Sequence, residues 1–358
     1  MSLCPVFIGS GSYLPTQKVP NESFINHDFF GSDGVKIDKC NSEIIGQFEK
    51  ITGIRERRYV TDDLVASDIA VLAARDALES ADIDPETLDC IILAHNFGDI
   101  QMDNRRSEFV PSLASRVKSQ LGIKNQNTVA YDIIFGCPGW LQGVIQSYQI
   151  IQSDQKKRTL VIGTETLSRI TDPHDRDSMI YADGAGAIVI DTVESEEPVG
   201  ILSHGQKTFT DELAYLLKMG PSNNPEYANG NLYLKMKGRT LYENVLKHVP
   251  TAIKECIEKA GLELSDVKKV LIHQANQKMD EAILTRLFRA YGTRDIPEHI
   301  MPMTISWLGN SSVATLPTLY DLLSKGELEN HEINSGDVIV LASVGAGVNV
   351  NAVVYRVP

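Results

Sequence analysis

Apolar residues recur along this chain with two alternating periods. Across 66–81 they stand at Ala66, Ile69, Ala70, Leu72, Ala73, Ala77, Leu78 and Ala81, the spacing of an amphipathic helix. Asp82-Ile83-Asp84-Pro85 ends that helix, and the unbroken run Cys90-Ile91-Ile92-Leu93-Ala94 reads as a buried strand. The same order returns later. Ala77-Leu78-Glu79-Ser80-Ala81 leading to Ile91-Ile92-Leu93 parallels Cys256-Ile257-Glu258-Lys259-Ala260 leading to Val270-Leu271-Ile272, 179 residues on. Arg158-Thr159-Leu160-Val161-Ile162-Gly163-Thr164 parallels Asp337-Val338-Ile339-Val340-Leu341-Ala342-Ser343 at the same offset, and Gly136-Cys137 parallels Gly309-Asn310 at 173. Three matches in one order predict an α/β fold made of a duplicated half, residues 1–195 and then 196–358. Loops at equivalent strand ends then meet near a shared axis, so distance along the chain does not separate them.

Further stretches complete the outline. Pro5-Val6-Phe7-Ile8 predicts a strand, and Gly9-Ser10-Gly11-Ser12-Tyr13-Leu14-Pro15 a plain turn after it. Dinucleotide binding is set aside there, because a third glycine is absent and Pro15 breaks any following helix. A helix is expected near 43–50, followed by the basic segment Gly53-Ile54-Arg55-Glu56-Arg57-Arg58. The run Asp183-Gly184-Ala185-Gly186 reads as close strand packing and not as a nucleotide loop.

The chemistry concentrates at Tyr131-Asp132-Ile133-Ile134-Phe135-Gly136-Cys137-Pro138-Gly139-Trp140. A strand-like run stops at a glycine, presents one cysteine and turns into a helix-like segment. Pro138 fits the first helical position, where the missing N–H costs nothing. Cys137 then sits at the positive end of a helix, where a thiol pKa falls and backbone N–H groups point at whatever is bonded to sulfur. Taken alone, a single cysteine is more often a buried structural residue. His273 in Leu271-Ile272-His273-Gln274-Ala275-Asn276, Asn310 in Gly309-Asn310-Ser311-Ser312 and the turn Gly345-Ala346-Gly347 each have an equally plain structural reading. The internal repeat places all four on one rim, and jointly they read as an active site.

Composition narrows the class without fixing it. The 358 residues are 42% hydrophobic and 23% charged, with a net charge of −13, which describes a globular chain and argues against general nucleic-acid binding. An acidic carrier protein would need a local basic patch here. Five scattered cysteines (Cys4, Cys40, Cys90, Cys137, Cys256) form neither a disulfide framework nor a zinc site. Met1-Ser2-Leu3-Cys4-Pro5 lacks the pattern of a signal peptide, and no apolar run approaches the roughly 18 residues of a membrane span. A cytoplasmic protein without membrane association is expected.

Together, Gly136-Cys137-Pro138-Gly139, His273-Gln274-Ala275-Asn276, Gly309-Asn310-Ser311-Ser312 and Gly345-Ala346-Gly347 resemble the signature set of the β-ketoacyl-acyl-carrier-protein synthase III family, condensing enzymes of the thiolase superfamily. Gly53-Ile54-Arg55-Glu56-Arg57, Asp172-Pro173-His174-Asp175-Arg176 and Asp183-Gly184-Ala185-Gly186-Ala187 belong to the same resemblance, which runs in order from Gly9 to Arg356. It implies a thiolase-like five-layered αβαβα sandwich, usually a homodimer. It also implies that Cys137 takes the acyl group from an acyl thioester, with the N–H groups of Cys137 and Ala346 as oxyanion hole. His273 and Asn310 then steady the enolate left when a malonyl thioester loses CO₂, and condensation gives a β-ketoacyl thioester. The implied partners are acyl carrier protein and an acyl-CoA or acyl-carrier donor; no metal and no organic cofactor is implied.

Departures from the family's pattern shape further expectations. Gln47 and Ile51 stand where many members carry a tryptophan and an arginine for coenzyme A, and Lys278 where an arginine commonly follows the His-Gln-Ala-Asn motif, while Arg176 is kept. A carrier-bound donor fits these changes. Residues 97–108 form an insertion, and Val110 aligns where a phenylalanine from the partner subunit often closes the acyl pocket, which predicts a primer longer than acetyl. Arg286 and Arg289, with Lys278 and with Lys247 or Lys254 nearby, are the expected basic surface for a carrier.

Three other readings compete. Papain-like hydrolases share the order Cys, His, Asn and a comparable gap, but their cysteine lies near the mature N-terminus and their chains do not repeat. An inert paralogue would not need Cys137, His273 and Asn310 together. A thiolase-superfamily acyltransferase, or an enzyme of a secondary-metabolite pathway that joins two acyl chains, remains the alternative within the resemblance.

Overall fold

A computed structural model describes residues 2–154, 157–227 and 230–358. Two sheets carry the fold. The first combines β1 (Ser2–Tyr13), β2 (Cys90–Ala94), β3 (Val129–Ile133), β4 (Thr159–Thr166) and β5 (Asp183–Ser195) in the order β1-β5-β4-β2-β3. The second combines β6 (Gly200–Thr208), β7 (Val267–Ile272), β8 (Val338–Gly345) and β9 (Asn349–Arg356) in the order β6-β9-β8-β7. In each sheet the parallel pair (β2 with β4, β7 with β8) is followed outward by two antiparallel neighbours.

Eight α-helices among the described residues pack on and between them: α1 (Asn41–Thr52), α2 (Ala66–Ser80), α3 (Leu113–Gln120), α4 (Gly139–Ser153), α5 (Gly238–Lys259), α6 (Gln277–Ala290), α7 (Ile305–Leu308) and α8 (Thr315–Ser324). Their apolar faces sort into layers. Ile69, Ala73 and Ala77 of α2 and Val117 of α3 pack on Ile91, Leu160 and Val189 of the first sheet. Trp140 and Val144 of α4, with Leu316 and Leu319 of α8, fill the space between Ile92 and Val161 on one side and Leu271 and Leu341 on the other. Ile253 of α5 and Ile283 and Leu287 of α6 cover Val270, Val340 and Val354. The result is the five-layered αβαβα sandwich of the thiolase fold.

The duplication is visible in the register, with one amendment. Ile91 pairs with Leu160 as Val270 pairs with Val340, so β4 and β8 correspond 180 residues apart and not 179. A slip of one residue in a strand exchanges its faces. Leu160 and Val340 both belong to outer layers, whereas Ile339 faces the central helices.

Among the described residues, the second half also lacks a strand that would match β3. Gln274 takes over part of its work, donating to Pro302 O at 2.8 Å and accepting the N–H groups of Thr304 (2.8 Å) and Ile305 (2.9 Å).

The expected turn at Gly9-Ser10-Gly11-Ser12-Tyr13 is instead the continuation of β1. The glycines serve packing: a Cβ on Gly9 would lie 2.5 Å from Ala81 N at the end of α2. Insertion residues 97–108 form a small hairpin, Asp99–Ile100 against Ser107–Glu108. It is pinned where buried Asp99 accepts from Ser67 N–H, Ser67 Oγ and Arg116. The basic segment 53–58 is partly internal, since Arg57 is buried and donates to Met179 O, Val19 O and Asn21 Oδ1. Among the described residues, no helix is long and apolar enough to cross a membrane.

Candidate active site

The two hairpins β4–β5 and β8–β9 differ in their connections, and this difference makes the cavity. Gly345 passes to Asn349 through a short 3₁₀ turn, whereas 167–182 intervene between Thr166 and Asp183 and form a wall. Phe48 of α1 and Met179 and Ile180 of that wall pack with Ile305 of α7 into a separate apolar cluster over this end of the molecule. Below it lies a cavity of about 1500 Å³ lined by Cys137, His273, Asn310, Ser312 and Ala346 together with Asn96 and Arg176.

Cys137 follows β3 through a turn at Gly136, whose φ of +68° is the left-handed conformation that glycine adopts without strain. A Cβ on Gly136 would stand 2.7 Å from Ala346 N, and one on Gly345 would strike Cys137 N. The backbones of 136–137 and 345–346 therefore touch only because both glycines lack side chains. Pro138 precedes α4, which begins at Gly139, one residue later than the spacing predicted. The sulfur accepts a hydrogen bond from Ser312 Oγ at 3.3 Å. Burial pushes the Cys137 thiol up to about 11, against the Ser312 bond, which works the other way.

Asn310 is clamped by the 167–182 wall: its N–H donates to Ile180 O at 3.0 Å, and Ala182 N–H donates to its carbonyl at 2.8 Å. Its side-chain Oδ1 accepts from Ser312 N–H at 2.8 Å, which leaves the Nδ2 end of the amide for a ligand. His273 follows β7, and its N–H donates to Ala342 O at 2.9 Å. The ring is buried, and Nδ1 has no hydrogen-bond partner among the described residues. Burial lowers its pKa to about 4, so the imidazole is neutral near pH 7 and keeps one N–H to donate.

The remaining predicted residues separate. Arg176 is exposed at the cavity mouth, and Gln47 and Ile51 of α1 line the same mouth. Lys278 is exposed on α6 outside the lining, as are Arg286, which donates to Leu246 O at 3.0 Å, and Arg289. Exposed cationic side chains in the lining come instead from Lys39, Lys218, Lys237 and Arg239 as well as Arg176, and they outnumber the carboxylates of Asp33, Asp175 and Asp177 in the same lining. Val110 is 90% exposed and does not line the cavity of its own chain.

Two residues escaped the sequence reading. Asn96 accepts Gly136 N–H on Oδ1 and donates from Nδ2 to Glu165, and Glu165 is buried at the end of β4. Burial raises the Glu165 carboxyl to about 8, with the Asn96 hydrogen bonds opposing it. The only local signal was a polar pair, His95-Asn96, after an apolar strand, and His95 is structural. Its Nε2 pairs with Asp132 at 3.1 Å and its Nδ1 accepts Gly98 N–H.

Comparison with known proteins places the fold in a family. The family model described as 3-oxoacyl-[acyl-carrier-protein] synthase III matches residues 131–208, and its C-terminal counterpart matches 257–357. The β-ketoacyl-[acyl-carrier-protein] synthase III of Oceanobacillus iheyensis is 34% identical over 351 residues, 98% of this chain and 97% of the relative. The crystal structure of the corresponding synthase III from Aquifex aeolicus superposes with a TM-score of 0.78 at 29% identity, covering 98% of this chain and 99% of that one. The priming β-ketosynthase of the R1128 polyketide pathway superposes with a TM-score of 0.80 at 25% identity, covering 99% and 96%. Fold and site thus define a thiolase-fold condensing enzyme, an acyltransferase that extends an acyl group by carbon–carbon bond formation. The chain belongs to the β-ketoacyl-[acyl-carrier-protein] synthase III family.

Proposed function

We propose that the halves 1–195 and 196–358 divide the reaction, the first supplying the nucleophile Cys137 and the second the donors His273 and Asn310. Cys137 sulfur attacks the carbonyl of an acyl thioester, the C–S bond to the donor breaks, and the thiol proton leaves with the donor thiol. The N–H groups of Cys137 and Ala346 hold the intermediate oxyanion, and the contact of 136–137 with 345–346 supports this placing. A malonyl thioester next loses CO₂. The neutral His273 ring and the Asn310 Nδ2 group donate to the enolate oxygen, and its carbon attacks the acyl-Cys137 carbonyl. The C–S bond to Cys137 then breaks, and the sulfur takes a proton.

The observation that carries this reading is the convergence of Cys137, His273, Asn310 and Ala346 on one cavity. No organic cofactor or metal enters these steps. Arg176, Lys218, Lys237 and Arg239 give a cationic mouth on a chain of net charge −13, which supports an anionic, carrier-bound thioester, with Lys278, Arg286 and Arg289 as outlying contacts on α6. The edge strand β3, with Val129 59% exposed and Ile134, the residue just past its end, 62% exposed, supports pairing with a second copy, whose Val110 would reach the acyl end of the cavity.

A longer primer than acetyl, or a second acyl chain, is favoured by the cavity volume and by its apolar lining of Phe48, Leu217, Met219, Leu234 and Met236. The test is a panel of acyl-CoA and acyl-carrier thioesters from two to twelve or so carbons, read by mass spectrometry of the Cys137 peptide. Acylation of Cys137 that favours chains beyond acetyl, discharged by a malonyl thioester, is expected. A profile peaking at acetyl contradicts the longer primer, and an unmodified Cys137 with every donor contradicts the mechanism.

A further inference from the structure

Behind Cys137 runs a chain of hydrogen bonds that the reaction above does not use. Asn96 stands among three groups: Oδ1 accepts Gly136 N–H at 2.9 Å, while Nδ2 donates to Glu165 Oε1 at 2.6 Å and to Ser312 Oγ at 3.3 Å. Ser312 Oγ donates onward to Cys137 Sγ at 3.3 Å. The sense of this chain follows from what each group can do. A side-chain NH₂ only donates, and a hydroxyl has a single proton. With Asn96 occupying a lone pair of Ser312, the serine proton is left for sulfur. An acceptor in the place of Nδ2 would draw that proton away and leave the sulfur bare. Buried Glu165, which accepts from the same NH₂ group, keeps the amide from flipping.

We propose that Asn96 is a positioning residue for Cys137, directing the Ser312 proton onto the sulfur and thereby stabilising the thiolate that attacks the acyl thioester. The inference rests on Cys137 being the nucleophile. The titratable groups near the sulfur are Glu165, Tyr181 and His273. His273 is already neutral above pH 4 or so, and burial holds the Tyr181 phenol protonated well beyond neutral pH. Loss of the Asn96 donor keeps Glu165 protonated to higher pH, which lowers the thiol pKa by removing a nearby negative charge. Asn96 also holds Gly136 N–H, so an upward move that disappears in a Ser312→Ala background is the one that comes through Ser312.

The experiment is the pH profile of Cys137 alkylation by iodoacetamide in the full chain, read on the Cys137 peptide so that exposed Cys40 does not contribute. Asn96→Ala raises the alkylation pKa by about one unit and slows the reaction at pH 7 about tenfold. In a Ser312→Ala background the same change alters the rate by less than about twofold, since the two residues act in series. Asn96→Leu, of nearly equal volume, repeats the measurement should the alanine variant not fold. An unmoved alkylation pKa in both variants, or an equal effect with and without Ser312, overturns the proposal. Alkylation involves no acyl donor, so a chain that alkylates as described but accepts no acyl group fails the nucleophile assignment and not this one.

Discussion

Cys137 and Glu165 hold their protons to unusually high pH, about 11 and about 8, and in both the first cause is removal from water. For Glu165 the consequence is measurable in the stability of the whole chain. Its carboxyl keeps a proton in the folded state up to about pH 8, whereas in the unfolded chain it loses it near pH 4.3 or so. The folded state then binds more protons, so stability falls as pH climbs through that window, by about 1.4 kcal/mol per unit. Asp177 and Asp183, raised to about 6 by burial, act in the same direction at lower pH, and His273, lowered to about 4, acts oppositely only below about 6.5. Between pH 6.5 and 8 Glu165 contributes to the slope together with Asp280, whose fully buried carboxyl is also held well above the usual carboxylate range by desolvation. Urea midpoints should fall across that range and fall less steeply in Glu165→Gln; an unchanged slope in the variant would contradict the assignment. None of this was legible beforehand, because Glu165 sits in Ile162-Gly163-Thr164-Glu165-Thr166 with nothing local to mark it as internal.

Elements tell a different story, since period carries far in sequence. The helix expected across 66–81 is α2, and the run 90–94 is β2 residue for residue. What failed were features that only tertiary packing decides. Gly9 and Gly11 look like a turn, yet they let β1 pass beneath α2. Among the described residues the second half has no counterpart of β3, and nothing in Pro302-Met303-Thr304-Ile305-Ser306 forbids a strand; a glutamine side chain bonds that backbone instead. Gln274→Ala would leave two N–H groups and one carbonyl unpaired in the interior, at a cost of roughly 3 kcal/mol. Denaturant unfolding should show that loss, and the synthase rate should drop as the chain leading to Asn310 loosens. Wild-type stability in the variant would mean that Gln274 is only a spectator.

On the scale of the molecule, the chain repeats, and the repeat brings residues 137, 273, 310 and 346 together. That much could be read from offsets of 179 and 173 before any coordinates. The cationic mouth could not. Lys218, Lys237 and Arg239 come from the stretch before and at the start of α5, whose sequence shows no charge run, and they meet Arg176 only in three dimensions. The proposed dimer is equally a property of the assembled surface. Val129→Lys combined with Ile134→Lys places charge at the start of β3 and just past its end, and sedimentation should then report a monomer in place of a dimer. An unchanged dimer would move the interface elsewhere.

The division of labour between the halves is the claim on which the rest depends, and single-turnover mass measurements on His273→Ala and Asn310→Ala test it most directly. Each variant should still take an acyl group onto Cys137 from a thioester at close to the normal rate. Release of CO₂ from a malonyl thioester and discharge of acyl-Cys137 should fall by about 10²–10³-fold, the loss that removal of one preorganised donor brings. Equal slowing of acylation and discharge in both variants would contradict the account.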